Sequence, residues 1–231
     1  MDHLWVAGGA SGEFPELAEK PTVSGPRRPD GIYVIRFRNT KEQKYAKFLR
    51  GYGYQGGGTT SFNWRAPGFG GDFKRSLVDP VTSVGLSGFG ECLPDFENYV
   101  EIDKKVVDVF GIPVLKIHMT WGENEKKMIP DMAESAAEMM AAAGAKNIRP
   151  WTVMDRIPGY GIHEMGVARM GKDKKTSVLN QFQQAWDIDN LFVMDASSFT
   201  SGACQNPTLT IMSVAVRSTD YLLGELKKGN L

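Results

Sequence analysis

The chain has 231 residues, 42% hydrophobic and 23% charged, which is an ordinary globular composition. Lysine plus arginine equals aspartate plus glutamate at 27 each, so no net charge attracts the chain to nucleic acid or to an anionic membrane. No apolar run reaches the roughly 18 residues of a transmembrane helix, and the first residues lack the basic start and apolar core of a secretory signal. We therefore expect no nucleic-acid partner and no transmembrane segment.

Cysteines and histidines are few. Cys92 and Cys204 are too few for a disulfide framework, so we interpret them as free thiols, with pairing left open. His3, His118 and His163 are widely spaced, and no cysteine or carboxylate joins them at metal-ligand spacing. No metal site is expected, and His118, inside an alternating strand, is predicted to be a hydrogen-bonded structural residue.

The region from about 31 to 119 has the composition of strands and long loops. GIYVIRF (31–37), NYVEID (98–103) and IPVLKIHMTW (112–121) combine β-branched or aromatic residues with alternation of apolar and polar positions. Together they predict a body dominated by an antiparallel sheet over residues 20–148.

Two short motifs in this region resemble known chemistry only weakly. The segment 51–56, GYGYQG, matches the dinucleotide fingerprint G-x-G-x-x-G, but no strand precedes it and no helix follows it, so we predict a flexible loop. Its aromatic residues could stack on a sugar ring: Tyr52, Tyr54, Phe62, Trp64 and Phe69. The segment 85–89 approaches a nucleophile elbow around Ser87, which leaves a serine hydrolase with His163 as a further hypothesis.

Helical periodicity begins after this region. Met132, Ala136, Met139, Met140 and Ala143 share one face, which predicts a helix over 130–143 with Pro130 at its start and Gly144 past its end.

The last third contains a predicted strand and a second helix. The apolar run LFVMD (191–195) predicts a short strand that ends at Asp195. Asn206 as N-cap and Pro207 as first helical residue predict a buried helix from 207 to 227. Strand and helix, within about 186–228, are expected to pack apart from the sheet. Near them, Gly159, Gly161 and Gly166 flank His163, so the backbone there can turn sharply and present the imidazole.

Three motifs occur in order between residues 163 and 210. The sequence has HEMG (163–166) with MG (170–171), then NL (190–191) with DAS (195–197), then NPTLT (206–210) before a hydrophobic helix. This order resembles the C-terminal block of the glucose–methanol–choline (GMC) family of FAD-dependent oxidoreductases. The residues in and around these motifs are most similar to those of bacterial gluconate-dehydrogenase-like and glucoside-dehydrogenase-like members.

The resemblance implies roles for individual residues. His163 matches the catalytic histidine that faces the flavin ring, and Asn206 matches the second member of the catalytic pair. Asp195 and Ala196 match residues beside the pyrophosphate and ribityl chain of FAD. Asn206, Pro207 and Thr208 match the helix start that faces the pyrimidine edge of the flavin.

The resemblance also implies an α+β fragment. Residues 1–150 would form the substrate-binding region, an antiparallel sheet plus the helix 130–143. Residues 151–231 would return to an α/β FAD-binding domain whose N-terminal Rossmann half is absent. We therefore expect a fragment or truncated reading frame that is inactive alone and does not hold FAD tightly, or one half of a natural split enzyme.

The function implied is FAD-dependent oxidation of the CH–OH group of an alcohol or sugar, with His163 as base and hydride transfer to flavin N5. A small partner subunit and a cytochrome acceptor are implied by the dehydrogenase-like members. The compartment, periplasmic or cytoplasmic in a bacterium, stays open. The alternative is a carbohydrate-binding module over 31–121 without redox activity.

Overall fold

The computed structural model describes residues 6–18, 31–45, 47–62, 68–159 and 161–231; the expectations for His3 and Trp64 lie outside them. The strands are β1 (Gly8–Glu13), β2 (Gly31–Val34), β3 (Tyr52–Phe62), β4 (Pro80–Gly90), β5 (Tyr99–Val107), β6 (Pro113–His118) and β7 (Lys146–Thr152). The α-helices are α1 (Pro15–Ala18), α2 (Gly70–Val78), α3 (Glu123–Ala142) and α4 (Thr208–Lys228), with a 3-10 turn at Ala196–Ser198.

The main sheet is antiparallel throughout, in the order β2-β3-β4-β1-β7. This confirms the α+β class and the antiparallel sheet. The membership of the sheet differs from the prediction, because the segments expected from NYVEID and IPVLKIH form a separate two-stranded sheet, β5–β6. Strand β2 instead lies at the edge of the main sheet and pairs with β3, a strand with little sequence signal.

The glycine-rich segment at 51–62 is not a loop, and that prediction is wrong. It forms β3, which pairs with β4 from Tyr52 opposite Gly90 to Phe62 opposite Pro80. Because the strand runs on through the fingerprint match, no helix N-terminus is available there for a pyrophosphate. Tyr52 and Tyr54 are fully buried and cannot stack on a sugar, whereas Phe62 and Phe69 are exposed.

Helix α3 covers one face of the main sheet and forms the core with it. It begins at Glu123, seven residues before the predicted start, so Pro130 lies in its interior. Of the five residues predicted to share one face, Met132, Ala136 and Met140 are buried against the sheet and Met139 is half-buried, whereas Ala143 follows the end of the helix and is exposed. Gly144, with a left-handed φ of 88°, follows the end of the helix.

Glycine allows α3 to approach the sheet closely, which gives a stability prediction. A Cβ on Gly8 would lie 2.6 Å from the carbonyl oxygen of Ile129 in the backbone of α3, whereas a Cβ on Gly85 meets nothing within 4 Å. We expect Gly8→Ala to lower the free energy of unfolding by about 1–3 kcal/mol, the usual effect of overpacking. The matched control Gly85→Ala should be neutral or stabilising by up to about 1 kcal/mol. Urea unfolding measures both, and equal effects would contradict this account of the packing.

The C-terminal segment differs from the prediction in two respects. LFVMD does not form a strand; Phe192 makes an isolated bridge with Gln184. Helix α4 runs from Thr208 to Lys228, close to the predicted bounds, but Ser218 is its only buried residue. The helix packs on the segment 181–194, where the Phe182 and Tyr221 rings stack 4.0 Å apart.

An apolar face of α4 is consequently exposed, formed by Leu209, Met212, Val216, Leu223 and Leu226. In the part of the chain described above, no helix combines the length and the apolar character needed to span a membrane.

Candidate active site

The main sheet has one face covered by α3 and a second face that we call the open face. Side chains alternate along a strand, so Tyr52 and Tyr54 point to α3, where their hydroxyls donate to Asp131 and to the Met132 carbonyl oxygen. Gly53 and Gln55 therefore point the other way. Their partners across β4, Phe89 and Ser87, point the same way, since directly opposed residues share a face.

His163 lies above the open face. Its ring is 6.3 Å from the ring of Phe89, between centroids, at an angle of 38°. Of the three glycines expected to turn the backbone around it, Gly159 and Gly166 have left-handed φ values of 90° and 87°. The imidazole is half-buried, and this burial lowers the pKa of His163 below its ordinary value, while the charge of Glu164 raises it in part. His163 is therefore biased towards the neutral form that can accept a proton.

Asn206 also reaches the open face, and it is not the N-cap that the sequence predicts. The N-cap position of α4 is Pro207, which offers no side-chain hydrogen bond. The Asn206 side chain instead accepts a hydrogen bond from Gln55: the Nε2 to Oδ1 distance is 3.0 Å. Cys204, two residues earlier, is buried beside Gly53, where an added Cβ would lie 3.8 Å from its Sγ.

His163 and Asn206 are thus anchored at neighbouring points of one surface. Their contacts, Phe89 and Gln55, are diagonal neighbours on paired strands, because Phe89 is opposite Gly53. Such positions are about 7–8 Å apart. Two residues from separate loops thus contact neighbouring positions of the sheet, although nothing in their local sequences dictates it.

The second motif packs directly against the first. The backbone amides of Gly166, Ala168 and Met170 donate to the carbonyl oxygens of Ala196, Ser197 and Ser198 over 3.4, 2.9 and 2.7 Å. Asp195 is exposed at the start of this 3-10 turn, and its Oδ1 accepts from the Ser197 amide over 2.8 Å. Ala196 is half-buried. The DAS segment therefore continues the surface on which the His163 loop lies.

The start of α4 fits an anionic or electron-rich ligand edge. Pro207 supplies no side-chain acceptor to the first turn, and Thr208 is exposed. The first amides of a helix carry partial positive charge and lack partners within the helix. This arrangement fits the edge of a flavin, which presents carbonyl oxygens and a ring nitrogen to such donors.

The other sequence hypotheses fare differently. Ser87 lies within β4 and not at the sharp strand-to-helix turn of a nucleophile elbow, which removes the basis of the hydrolase hypothesis.

His118 is a hydrogen-bonded structural residue as predicted: its Nε2 is 2.9 Å from Glu101 Oε1 and its ring stacks on Tyr99. Cys92 and Cys204 are buried, and neither forms a disulfide. Within the described residues, no three His, Cys, Asp or Glu side chains are grouped as metal ligands.

Residues that the sequence did not single out complete the surface. Gln55 is hydrogen-bonded to Asn206, and the ring of Phe89 contacts His163. Trp151 on β7 lies over Gly9: a Cβ added to Gly9 would be 2.9 Å from the Trp151 ring. No local pattern marks these residues, since their roles arise from strand register. A separate cavity of about 610 Å³, lined in part by Phe96, Tyr99 and Arg169, contains none of the predicted site residues.

Comparison with known proteins agrees with the motifs. A family model described as GMC oxidoreductase matches residues 94–215, more than half of the chain. The chain therefore belongs to the GMC oxidoreductase family. This family is generally FAD-dependent, and the match favours an oxidoreductase over the carbohydrate-binding module.

Three relatives illustrate the similarity. The chain is 38% identical to the 2-methyl-1,2-propanediol dehydrogenase of Mycolicibacterium austroafricanum, over 58% of this chain and 24% of the relative. It is 31% identical to the gluconate 2-dehydrogenase flavoprotein of Pantoea cypripedii, over 68% and 27%. It is 31% identical to the pyranose 2-oxidase of Lyophyllum shimeji, over 66% and 24%. The chain thus spans about a quarter of the length of these relatives.

Proposed function

We propose that this chain carries the substrate-facing and C-terminal part of an FAD-dependent oxidoreductase that oxidises the CH–OH group of an alcohol or sugar. The observation that carries the proposal is that His163 and Asn206 contact neighbouring positions of the open face, Phe89 and Gln55, and that the loop of His163 is hydrogen-bonded to the DAS segment. Family membership supports the same chemistry, because the relatives above are named as dehydrogenases and an oxidase.

Two residues of this chain would act on the alcohol, each in a different role. A ring nitrogen of neutral His163 accepts the hydroxyl proton as the carbonyl forms. The Asn206 amide donates a hydrogen bond to the same oxygen and stabilises its developing negative charge. FAD, when bound, supplies the acceptor for the hydride that leaves the carbon, so that the alcohol loses one hydride and one proton in total.

FAD would be held along the C-terminal block. Asp195 and Ala196 would lie beside its pyrophosphate and ribityl chain, and Asn206, Pro207 and Thr208 would face the pyrimidine edge of the flavin. The exposed Asp195 turn and the first turn of α4, to which Pro207 gives no side-chain acceptor, support this assignment.

The division of the chain follows from this assignment. Residues 1–150 would form the substrate-binding region, and residues 151–231 would belong to an FAD-binding domain. The exposed apolar face of α4 supports the second part, since such a face on a helix of this length marks a surface that packs against further protein.

A small alcohol or a sugar is the proposed substrate class, in keeping with the names of the relatives. A partner subunit is proposed by analogy with the fructose dehydrogenase large subunit of Gluconobacter japonicus, 27% identical, whose name implies further subunits. The proposal of a cytochrome acceptor rests on the resemblance of the motifs to dehydrogenase-like members.

Anaerobic mixing tests the function directly. The FAD-loaded enzyme that contains this chain is mixed with 2-methyl-1,2-propanediol, gluconate, glucose and an alkyl glucoside, and the flavin absorbance is followed. We expect at least one of them to bleach the oxidised flavin spectrum with saturable kinetics. A protein that binds sugar but takes up no FAD during loading would instead support the carbohydrate-binding alternative, and a flavin that none of these compounds reduces would contradict the proposal.

A further inference from the structure

The side chain of Gln55 makes a tertiary contact with a proposed catalytic residue. Gln55 Nε2 donates to Asn206 Oδ1 over 3.0 Å, across 151 positions of sequence. The backbone of Gln55 is fixed in the β3–β4 ladder opposite Ser87, so its side chain projects from a rigid element. The Asn206 segment has a second anchor at Cys204, buried beside Gly53. The contact with Gln55 therefore bears on the orientation of the Asn206 side-chain amide, whereas Cys204 also holds the backbone of this segment.

The direction of this hydrogen bond determines what Asn206 presents to a substrate. A primary amide has an acceptor oxygen on one side and two N–H donors on the other. With Oδ1 occupied by Gln55, the Nδ2 donors are turned to the remaining side. An oxygen that gains negative charge during oxidation needs a donor there, and an Asn206 amide turned the other way would present a repelling oxygen.

We propose that Gln55 is a positioning residue that locks the Asn206 amide with its N–H donors towards the substrate oxygen. The inference rests on the proposed function, since it assumes that Asn206 contacts the substrate. It goes beyond that function by assigning the choice between the two amide orientations to one side chain on β3.

Gln55→Glu provides the sharpest test, because the substitution keeps the size of the side chain and changes its hydrogen-bonding capacity together with, in the ionised form, its charge. An ionised carboxylate only accepts, so it would bind Nδ2 and turn Oδ1 of Asn206 towards the substrate. A protonated carboxyl can donate to Oδ1 and restore the native orientation. Stopped-flow reduction of the FAD-loaded enzyme should therefore be slowed by up to about 10²-fold at neutral pH, the lower end for a lost oxyanion donor.

The pH dependence separates this role from a structural one. The ratio of Gln55→Glu to wild-type rate should rise as the pH falls towards about 4.3, the ordinary pKa of glutamate. The matched control Gln55→Leu cannot change its protonation state, so its ratio should stay constant with pH.

A second readout does not depend on the flavin. Urea unfolding of Gln55→Leu, Asn206→Ala and the double variant of the 231-residue chain should give shifts in midpoint that are less than additive, as expected for two side chains in contact. Strictly additive shifts would overturn the contact and with it the inference.

The outcomes distinguish this inference from the function on which it rests. If Asn206→Ala reduces its flavin at the wild-type rate, the proposed role of Asn206 and the positioning role of Gln55 are both overturned. If Asn206→Ala is slow but the Gln55→Glu ratio does not change with pH, only the positioning role is overturned.

Discussion

His163→Ala is expected to lower the rate of flavin reduction by alcohol or sugar about 10²–10⁴-fold in the FAD-loaded enzyme, the range for loss of a positioned acid–base group. The reason is that His163 lies half-buried over Phe89 on the open face, where its burial favours the neutral form. Anaerobic stopped-flow absorbance measures the rate. Flavin content should stay near that of wild type, because the predicted FAD contacts lie in the DAS segment and at the start of α4.

The matched control is His118→Ala. His118 is hydrogen-bonded to Glu101 on the separate β5–β6 sheet, so its loss should leave the reduction rate unchanged. If His163→Ala reduces its flavin as fast as wild type, the catalytic assignment is wrong and the family match describes only the fold.

The pH dependence of the flavin-reduction rate of the wild-type enzyme should also reflect the protonation of His163. Burial lowers the pKa of His163, and the base must be neutral to accept a proton, so the rate should fall with acidification only below the ordinary histidine pKa of about 6.5. His163→Ala should lose this acid limb, and its deficit should shrink at high pH, where the alcohol needs less help to ionise.

The sequence singles out the residues of the proposed site but not the surface that supports them. The order of the three motifs singles out the His163, DAS and Asn206 segments; backbone hydrogen bonds join the first two, and Asn206 is hydrogen-bonded to Gln55 on the open face. The N-cap role expected for Asn206 rests on local sequence alone. It is wrong because a tertiary hydrogen bond to Gln55 competes for the side chain, and no local pattern contains that partner.

The missed strands have a related physical reason. β3 and β4 are rich in glycine, which disfavours strands when judged by propensity. Propensity is outweighed here by an 11-residue ladder on each strand and by the close approach of α3. LFVMD shows the opposite error: it has the composition of a buried strand, but within the described residues only Phe192 finds a bridging partner, Gln184. An apolar run specifies burial, and it becomes a strand only when neighbours are present to pair with it.

The second large effect concerns the contact between the sheet and α3. Asp131 is buried on α3 and accepts hydrogen bonds from Arg38 Nε over 3.1 Å, from the Tyr45 hydroxyl over 2.6 Å and from the Tyr52 hydroxyl. Burial, together with the hydrogen bond to Asp131, raises the pKa of Tyr52 to about 12, so this hydroxyl remains a donor at all physiological pH values. One carboxylate thus satisfies three donors that lie 79 to 93 residues earlier in the chain.

Asp131→Ala is therefore expected to lower the free energy of unfolding by about 3–5 kcal/mol, the cost of breaking a buried ion pair and leaving its partner uncompensated. The Arg38 guanidinium, whose side chain is only 22% exposed, would lose its counter-charge, and the Tyr52 hydroxyl would lose its carboxylate acceptor. Urea unfolding monitored by tryptophan fluorescence measures the change. Glu134→Ala, an exposed acidic position on the same helix, is the matched control and should change stability by no more than about 0.5 kcal/mol. Equal effects of the two substitutions would mean that Asp131 contributes no more than a surface charge, and the network would then have no part in holding α3 against the sheet.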